Sequence, residues 1–162
     1  MIARPAHANV IAPPPLIAAA TVVLGLALDR VLPAYVLTVL MSFPLRIVLA
    51  LLLAGAGGAL ILFAEMRFRS AGTAVPAARP STALVTDGVY AHVRNPMYVG
   101  LALVTAAIAI AVASDWTLVL MVPAAAVMHV GVVQREERYL DALFGDVYRR
   151  YRATVPRYGW PG

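Results

Sequence analysis

The feature that most constrains this chain is a repeated one. Apolar stretches at about 15–32, 45–64, 97–113 and 116–133 run with scarcely a charged side chain inside them. A span of the hydrocarbon layer needs roughly 20 such residues. Inside lipid, only structures that satisfy every backbone N–H and C=O internally survive, and the helix does so within one segment. Composition supports the same conclusion. The chain is 62% hydrophobic and 13% charged, where a soluble domain carries about 25% charged residues. The fold class is therefore expected to be all-α: a polytopic membrane protein of about four transmembrane helices. A single domain is expected to cover 1–162.

The first apolar run, Leu16 to Leu28, follows Pro13-Pro14-Pro15, which suits an opening turn but not a helix interior. Extended to Leu32, it places Asp29 and Arg30 near the far interface, where long side chains snorkel. Ala34 to Met41, bracketed by Pro33 and Pro44, reads as a loop or interfacial turn. Leu45 to Ala64 holds Gly55-Ala56-Gly57-Gly58, a small-residue face for close helix packing, and exits through Glu65-Met66-Arg67-Phe68-Arg69. Residues 65–96 form a polar loop. Ser114-Asp115 joins the last two spans tightly, with Asp115 placed to cap the next helix and Trp116 at the lipid–water boundary. From Gln134 the tail is polar again. Leu140, Leu143, Phe144, Val147, Tyr148 and Tyr151 recur at helical spacing among Arg149, Arg150 and Arg152, which predicts an amphipathic C-terminal helix along the membrane surface, its arginines toward anionic headgroups.

The chain has no cysteine and no lysine. Disulfides, thiolate chemistry and cysteine metal sites are excluded. The net charge of +5 comes from arginine and marks topology rather than a nucleic-acid partner. Eleven of thirteen arginines fall on Arg4, on Arg67, Arg69, Arg79 and Arg94 of the loop, and on the tail; only Arg30 and Arg46 lie opposite. Both termini and the 65–96 loop are thus expected to be cytoplasmic. The N-terminus lacks the compact small-residue site of a cleavable signal.

Two polar segments must meet in this topology, because the third and fourth spans form a hairpin. One is Gly88-Val89-Tyr90-Ala91-His92-Val93-Arg94-Asn95-Pro96-Met97-Tyr98-Val99-Gly100. The other is Arg135-Glu136-Glu137-Arg138-Tyr139-Leu140, followed by Phe144-Gly145, Tyr148, Tyr151, Val155 and Pro156. Together they bring arginine, paired carboxylates, aromatic rings and a helix N-terminus to one boundary.

The order Gly-x-Tyr, Arg-Asn-Pro-x-Tyr-x-Gly, Glu-Glu and Phe-Gly-x-x-Tyr-x-x-Tyr resembles the isoprenylcysteine carboxyl methyltransferase and phospholipid methyltransferase superfamily. Gly72-Thr73-Ala74-Val75-Pro76 and Leu84-Val85-Thr86-Asp87-Gly88 are similar to a loop of its small bacterial members. The resemblance covers roughly residues 65–158. It implies S-adenosylmethionine as cofactor, a lipophilic or lipid acceptor, and a cofactor site of Tyr90, Arg94, Asn95, Pro96, Tyr98, Gly100, Glu136, Glu137 and Tyr148, with Arg94 and Asn95 as the candidates for a catalytic role. Two positions depart from the pattern: Asn95 where histidine often stands, and Ala102 in place of a second glycine.

The chemistry of the donor suits these residue types. A glutamate accepts from its ammonium, Arg94 or free helix N–H groups receive its carboxylate, and a tyrosine face meets adenine or the sulfonium. In-line methyl transfer needs no metal or covalent intermediate; proximity and alignment supply ~7–11 kcal/mol in favourable cases. Each residue also has a plain structural alternative. Asn95-Pro96 is a good N-cap pair, Glu136-Glu137 a solvated charged face, Gly100 a packing contact, and Tyr148 and Tyr151 interfacial packing. His7, His92 and His129 lack metal-ligand spacing. His129, within a span, suits a helix-to-helix hydrogen bond, and His92 is the remaining candidate base.

Two other functions share the composition. A nicotinamide enzyme of sterol-reductase type fits a membrane fold, but no glycine-rich dinucleotide fingerprint is present. A small transporter or structural membrane protein would place ionisable groups deep in a span, and only His129 does so. The acceptor atom (carboxylate oxygen, amine nitrogen or thiol sulfur) stays open at this level.

Overall fold

The computed structural model describes residues 8–73 and 81–159. Arg4, His7, Ala74, Val75, Pro76 and Arg79 lie outside them. Among the described residues the regular structure is helical: α1 (Pro14–Val31), α2 (Val36–Leu40), α3 (Phe43–Ser70), α4 (Pro96–Val112), α5 (Asp115–Met128), α6 (Gln134–Phe144) and α7 (Asp146–Thr154), with a 3₁₀ turn at Gly88–Ala91 and a π turn at His129–Val133. Proline opens α1, α3 and α4, where its missing N–H costs nothing. α1, α3 and the α5–α6 run are long and apolar enough to cross a membrane; α4 is a shorter apolar helix of 17 residues. The lipid-facing surfaces carry Leu24, Leu51, Leu52, Val119 and Val122 exposed, as expected where lipid is the solvent.

The helices pack as two pairs, α3 along α4 and α1 along α5. Glycine sets both distances. A Cβ on Gly100 would sit 2.6 Å from the Gly57 carbonyl, and one on Gly25 only 2.1 Å from Thr117 Oγ1. Of the expected Gly55–Gly58 face, Gly57 makes this contact while Gly55 and Gly58 meet open space.

The far end, opposite the polar loop and tail, is tied by side chains. Ser114, not Asp115, caps α5, accepting from Thr117 N at 3.2 Å. The Asp115 carboxylate turns outward from its own helix and accepts from Val36 N and Leu37 N, both at 3.0 Å. This corrects the capping role expected of it: the two orphan donors at the start of α2 are a closer match. Asp29 accepts from the Ser114 hydroxyl and from Trp116 N, and Trp116 Nε1 donates to the Leu32 carbonyl at 2.6 Å. The Ala34–Met41 segment, expected as a loop or interfacial turn, contains the short helix α2.

Two irregularities shape the other end. The π turn at His129–Val133 lets Ile11 N donate to the Gly131 carbonyl at 3.2 Å, with the Ile11 side chain where a residue-131 Cβ would be. The tail is not one amphipathic helix. Gly145, at φ 53°, ψ −125°, breaks it into α6 and α7, a conformation open to glycine and strained for other residues. α7 then folds back beneath the start of α4.

Candidate functional site

The N-terminus of α4, the 3₁₀ turn, the start of α6 and α7 converge on one small pocket of about 60 Å³. Phe68 and Tyr90 form its floor, edge to face at 5.3 Å, within a cluster that includes Ala64 and Val85. Gly88, at φ 58°, starts the turn that delivers Tyr90; a Cβ there would meet Arg67 Nε at 2.9 Å, and Arg67 pairs with the neighbouring Asp87.

The two glutamates have separate environments. Glu137 is buried between two guanidiniums: Arg94 Nη1 donates to Oε1 at 2.5 Å, and Arg157 donates in a fork, Nε to Oε1 at 2.8 Å and Nη2 to Oε2 at 2.7 Å. Burial pushes its carboxyl up, but the hydrogen bonds and charges of Arg157 and Arg94 outweigh it and hold the group below the usual carboxylate range. Glu136, three residues beyond Val133, the last residue of the apolar run, accepts a hydrogen bond from the Tyr98 hydroxyl at 2.7 Å and pairs with no guanidinium among the described residues. Burial pushes it up to about 7, the Tyr98 hydrogen bond lowers it and the Glu137 charge adds to the rise. Glu137 is thus a structural ion-pair centre, and Glu136 is the pocket's adjustable carboxyl.

Arg94 is fixed from three sides. Its Nε donates to the Val155 carbonyl at 2.9 Å, its Nη1 reaches Glu137 and, at 3.4 Å, the Tyr148 hydroxyl. Its Nη2 has no protein partner among the described residues. Asn95 occupies the N-cap position of α4 but makes no side-chain cap. Its Nδ2 donates instead to the Arg157 carbonyl at 3.1 Å, which corrects the capping alternative. Arg94 N also donates to the Pro156 carbonyl at 3.0 Å. Residues 155–157 therefore lie as a strap against Arg94 and Asn95, just ahead of the α4 N-terminus.

Of the expected site residues, Tyr90, Arg94, Asn95, Pro96, Tyr98, Glu136, Glu137 and Tyr148 all line this pocket. Gly100 does not; it faces Gly57 in the α3–α4 contact. His92 is exposed and outside the pocket. Tyr148 is 2% exposed, with burial raising its hydroxyl to about 12. Tyr151, expected as interfacial packing, lines the pocket too and donates to the Tyr90 carbonyl at 2.7 Å. Its i, i+3 spacing from Tyr148 was the available signal. Sequence reasoning missed Arg157 and Ser81. Ser81 lines the pocket with its Oγ buried and without a partner among the described residues, while its backbone N–H donates to the Tyr139 hydroxyl at 3.0 Å. A buried polar atom left unsatisfied is uncommon and calls for a ligand or water.

A second cavity of about 500 Å³ lies between α1, α4 and α5, lined by residues such as Ala18, Thr21, Leu103, Thr105, Met121 and Ala125. His129 and Tyr158 line it as well, joined Nδ1 to hydroxyl at 2.8 Å; the partner of His129 is thus on the tail, not on another helix. Tyr98 lines both cavities and stands as the wall between them. Among the described residues no group of His, Asp and Glu could hold a metal ion.

The residue set matches the donor chemistry expected from the sequence: Glu136 for an ammonium, Arg94 Nη2 for a carboxylate, Ser81 and the tyrosine rings for a nucleoside. The enclosed space is small, about 60 Å³.

Comparison with known proteins gives two results. A family described as phospholipid methyltransferase matches residues 45–147. The fission yeast protein-S-isoprenylcysteine O-methyltransferase is 36% identical over 73 residues, which cover 45% of this chain and 31% of that protein; the matched stretch spans about a third of the relative's length. No solved structure matches.

Proposed function

This chain belongs to the phospholipid methyltransferase family, and on that premise we propose that it transfers a methyl group from S-adenosylmethionine to a lipophilic acceptor held in the bilayer. The observation that carries the proposal is the position of Tyr98. It separates a pocket holding a carboxyl, a guanidinium and an unpaired hydroxyl from an apolar cavity among the transmembrane helices. A water-soluble donor and a lipid-soluble acceptor would meet at that wall.

Arg94 and Glu136 would hold the amino-acid end of the donor, Ser81, Tyr90, Tyr148 and Tyr151 the nucleoside. When bound, the sulfonium supplies an electrophilic methyl group and a neutral leaving sulfur. The chain supplies alignment and exclusion of water. Glu137 fixes Arg94 in place rather than touching the donor, and Asn95 anchors the strap through the Arg157 carbonyl.

We further propose that the site end faces the cytoplasm, with both termini. Nine described arginines lie at this end and two, Arg30 and Arg46, at the other, the bias expected of a cytoplasmic face. The donor would then enter from the cytoplasm. Isothermal titration of the detergent-solubilised chain with S-adenosylmethionine and S-adenosylhomocysteine tests the proposal: saturable binding of both supports it, and heats no larger than dilution refute it.

A further inference from the structure

On the methyl-transfer reading, we propose that His129 is a catalytic base whose Nε2 takes the proton that an amine or thiol acceptor sheds on methylation. The acceptor is then a proton-bearing nucleophile. A carboxylate, which sheds no proton and needs no base, is excluded.

The cavity between α1, α4 and α5 meets the small pocket at Tyr98, so a nucleophile aimed at the donor has its reacting atom there. The side chains available narrow the choice of base to one. Thr21 and Thr105 spend their hydroxyls on the Ile17 and Leu101 carbonyls of their own helices, each at 2.8 Å. Tyr98 donates to Glu136 at 2.7 Å, and a tyrosine hydroxyl, with an ordinary pKa of about 10, accepts no proton at neutral pH. The same holds for Tyr158. Glu136 stands behind Tyr98, on the donor's side of the wall and outside the cavity lining. Among the described residues that line the cavity, His129 alone has a lone pair that binds a proton near neutrality.

Its placement is specific. Met121, Ala125 and His129 follow at four-residue intervals and all line the cavity, one stripe running along α5 into the π turn. An ionisable side chain within a span is costly, and where it faces a cavity it marks function. The helix also departs from α geometry at this residue, where the π turn begins, and such turns recur at functional sites. In the tautomer that protonates Nδ1, that nitrogen donates to the Tyr158 oxygen at 2.8 Å. Nε2 then holds the lone pair and has no hydrogen-bond partner among the described residues. A base oriented through its other nitrogen is the arrangement that proton transfer uses. The step balances: the acceptor's lone pair forms the new bond to the methyl carbon, the S–C electron pair returns to sulfur, and the N–H or S–H proton passes to Nε2.

The test uses the full chain in nanodiscs with S-adenosylmethionine and three probes alike in their tails: hexadecylamine, hexadecanethiol and hexadecanoate. The parent is expected to methylate the amine or the thiol and not the carboxylate. His129→Asn keeps an amide donor for Tyr158 but has no base. Its kcat should fall at least about 100-fold, with acceptor KM and donor affinity within about threefold of the parent. Methylation of the carboxylate alone, or an unchanged kcat in His129→Asn, overturns the proposal. So does a loss of donor affinity alongside the loss of turnover, which marks a structural role. A second readout needs no turnover. The nitrogen NMR signals of the His129 ring, identified by their absence from His129→Asn, should shift when hexadecylamine or hexadecanethiol is added to the chain with S-adenosylhomocysteine; signals unmoved by both overturn the assignment of the base. Failure of the parent to bind S-adenosylmethionine in calorimetry refutes the methyl-transfer reading instead, and the ring-nitrogen shift still decides whether a head group reaches His129.

Discussion

Glu136→Gln and Glu137→Gln remove the same charge from adjacent residues, and the structure predicts opposite consequences. Glu137 neutralises Arg94, whose side chain is 10% exposed, and Arg157, whose side chain is 33% exposed. Breaking a buried pair by removing one partner costs about 3–5 kcal/mol; the more exposed Arg157 arm adds less. With ~2–4 °C per kcal/mol for a chain of this size, a loss of about 3 kcal/mol lowers the midpoint of unfolding by roughly 6–12 °C. Glu136 has no such debt. The Tyr98 hydroxyl can donate to an amide oxygen as well as to a carboxylate. Its carboxyl titrates at about 7 in the fold against an ordinary 4.5. The folded state therefore holds the proton more tightly, so the penalty is absent below pH 4.5, builds as pH rises towards 7, and is complete above it at roughly 3 kcal/mol. Glu136→Gln removes that penalty, so at pH 8 the variant should unfold no lower than the parent, and its advantage should shrink at pH 5. Its defect lies in binding: loss of one charge-assisted hydrogen bond, about 1.5–3 kcal/mol, weakens S-adenosylmethionine affinity about 10- to 150-fold. Thermal unfolding in detergent at pH 5 and pH 8, with titration calorimetry, reads both. An unchanged midpoint for Glu137→Gln, or a Glu136→Gln midpoint that falls just as far, would refute the division of labour between them.

Arg94→Ala should weaken S-adenosylmethionine binding by at least about tenfold, whereas Arg150→Ala, on the exposed face of α7, should bind like the parent; equal behaviour in calorimetry would remove Arg94 from the site. Gly25→Ala should destabilise by about 1–3 kcal/mol by overpacking against Thr117, while Gly58→Ala, facing open space, should be neutral or stabilising by up to about 1 kcal/mol; thermal unfolding separates them. Because the chain has no cysteine, Tyr35→Cys and Ala153→Cys give clean topology probes, and a membrane-impermeant maleimide applied to intact cells should label the first and not the second.

The spans were legible because a lipid environment forces long uninterrupted apolar runs, and their ends moved by few residues. The meeting of Arg94, Tyr98, Glu136 and Glu137 followed from the α4–α5 hairpin. What the sequence hid were contacts that no local pattern encodes. The Arg157–Glu137 and Asn95–Arg157 bonds depend on how the chain turns after α7, and Val155 and Pro156 act through carbonyls that every residue possesses. Ser81 lies in a polar loop, where a buried hydroxyl looks like any other serine. Gly145 was visible as a glycine, but the helical spacing of Tyr148 and Tyr151 on either reading concealed that it starts a new helix. Asp115 followed a local capping rule that a distant helix end overrode.

The knot of Asp29, Ser114, Asp115 and Trp116 has a mechanical consequence. It makes the bundle a pair of tweezers. Hydrogen bonds rivet α1, α2 and α5 at the far end, where short links join that limb to α3–α4. At the other end the limbs meet through the Tyr98–Glu136 and Arg94–Glu137 bonds and the 155–157 strap. Helices of this kind extend ~1.5 Å per residue, so α4 is a lever of about 26 Å, and a tilt of roughly 5° about the rivet moves its tip by ~2 Å. That displacement is small at the rivet and largest beside Tyr98, so the jaws can part for a guest without breaking a single bond at the pivot. Bilayer thickness, which sets helix tilt, then becomes a dial on how readily they open.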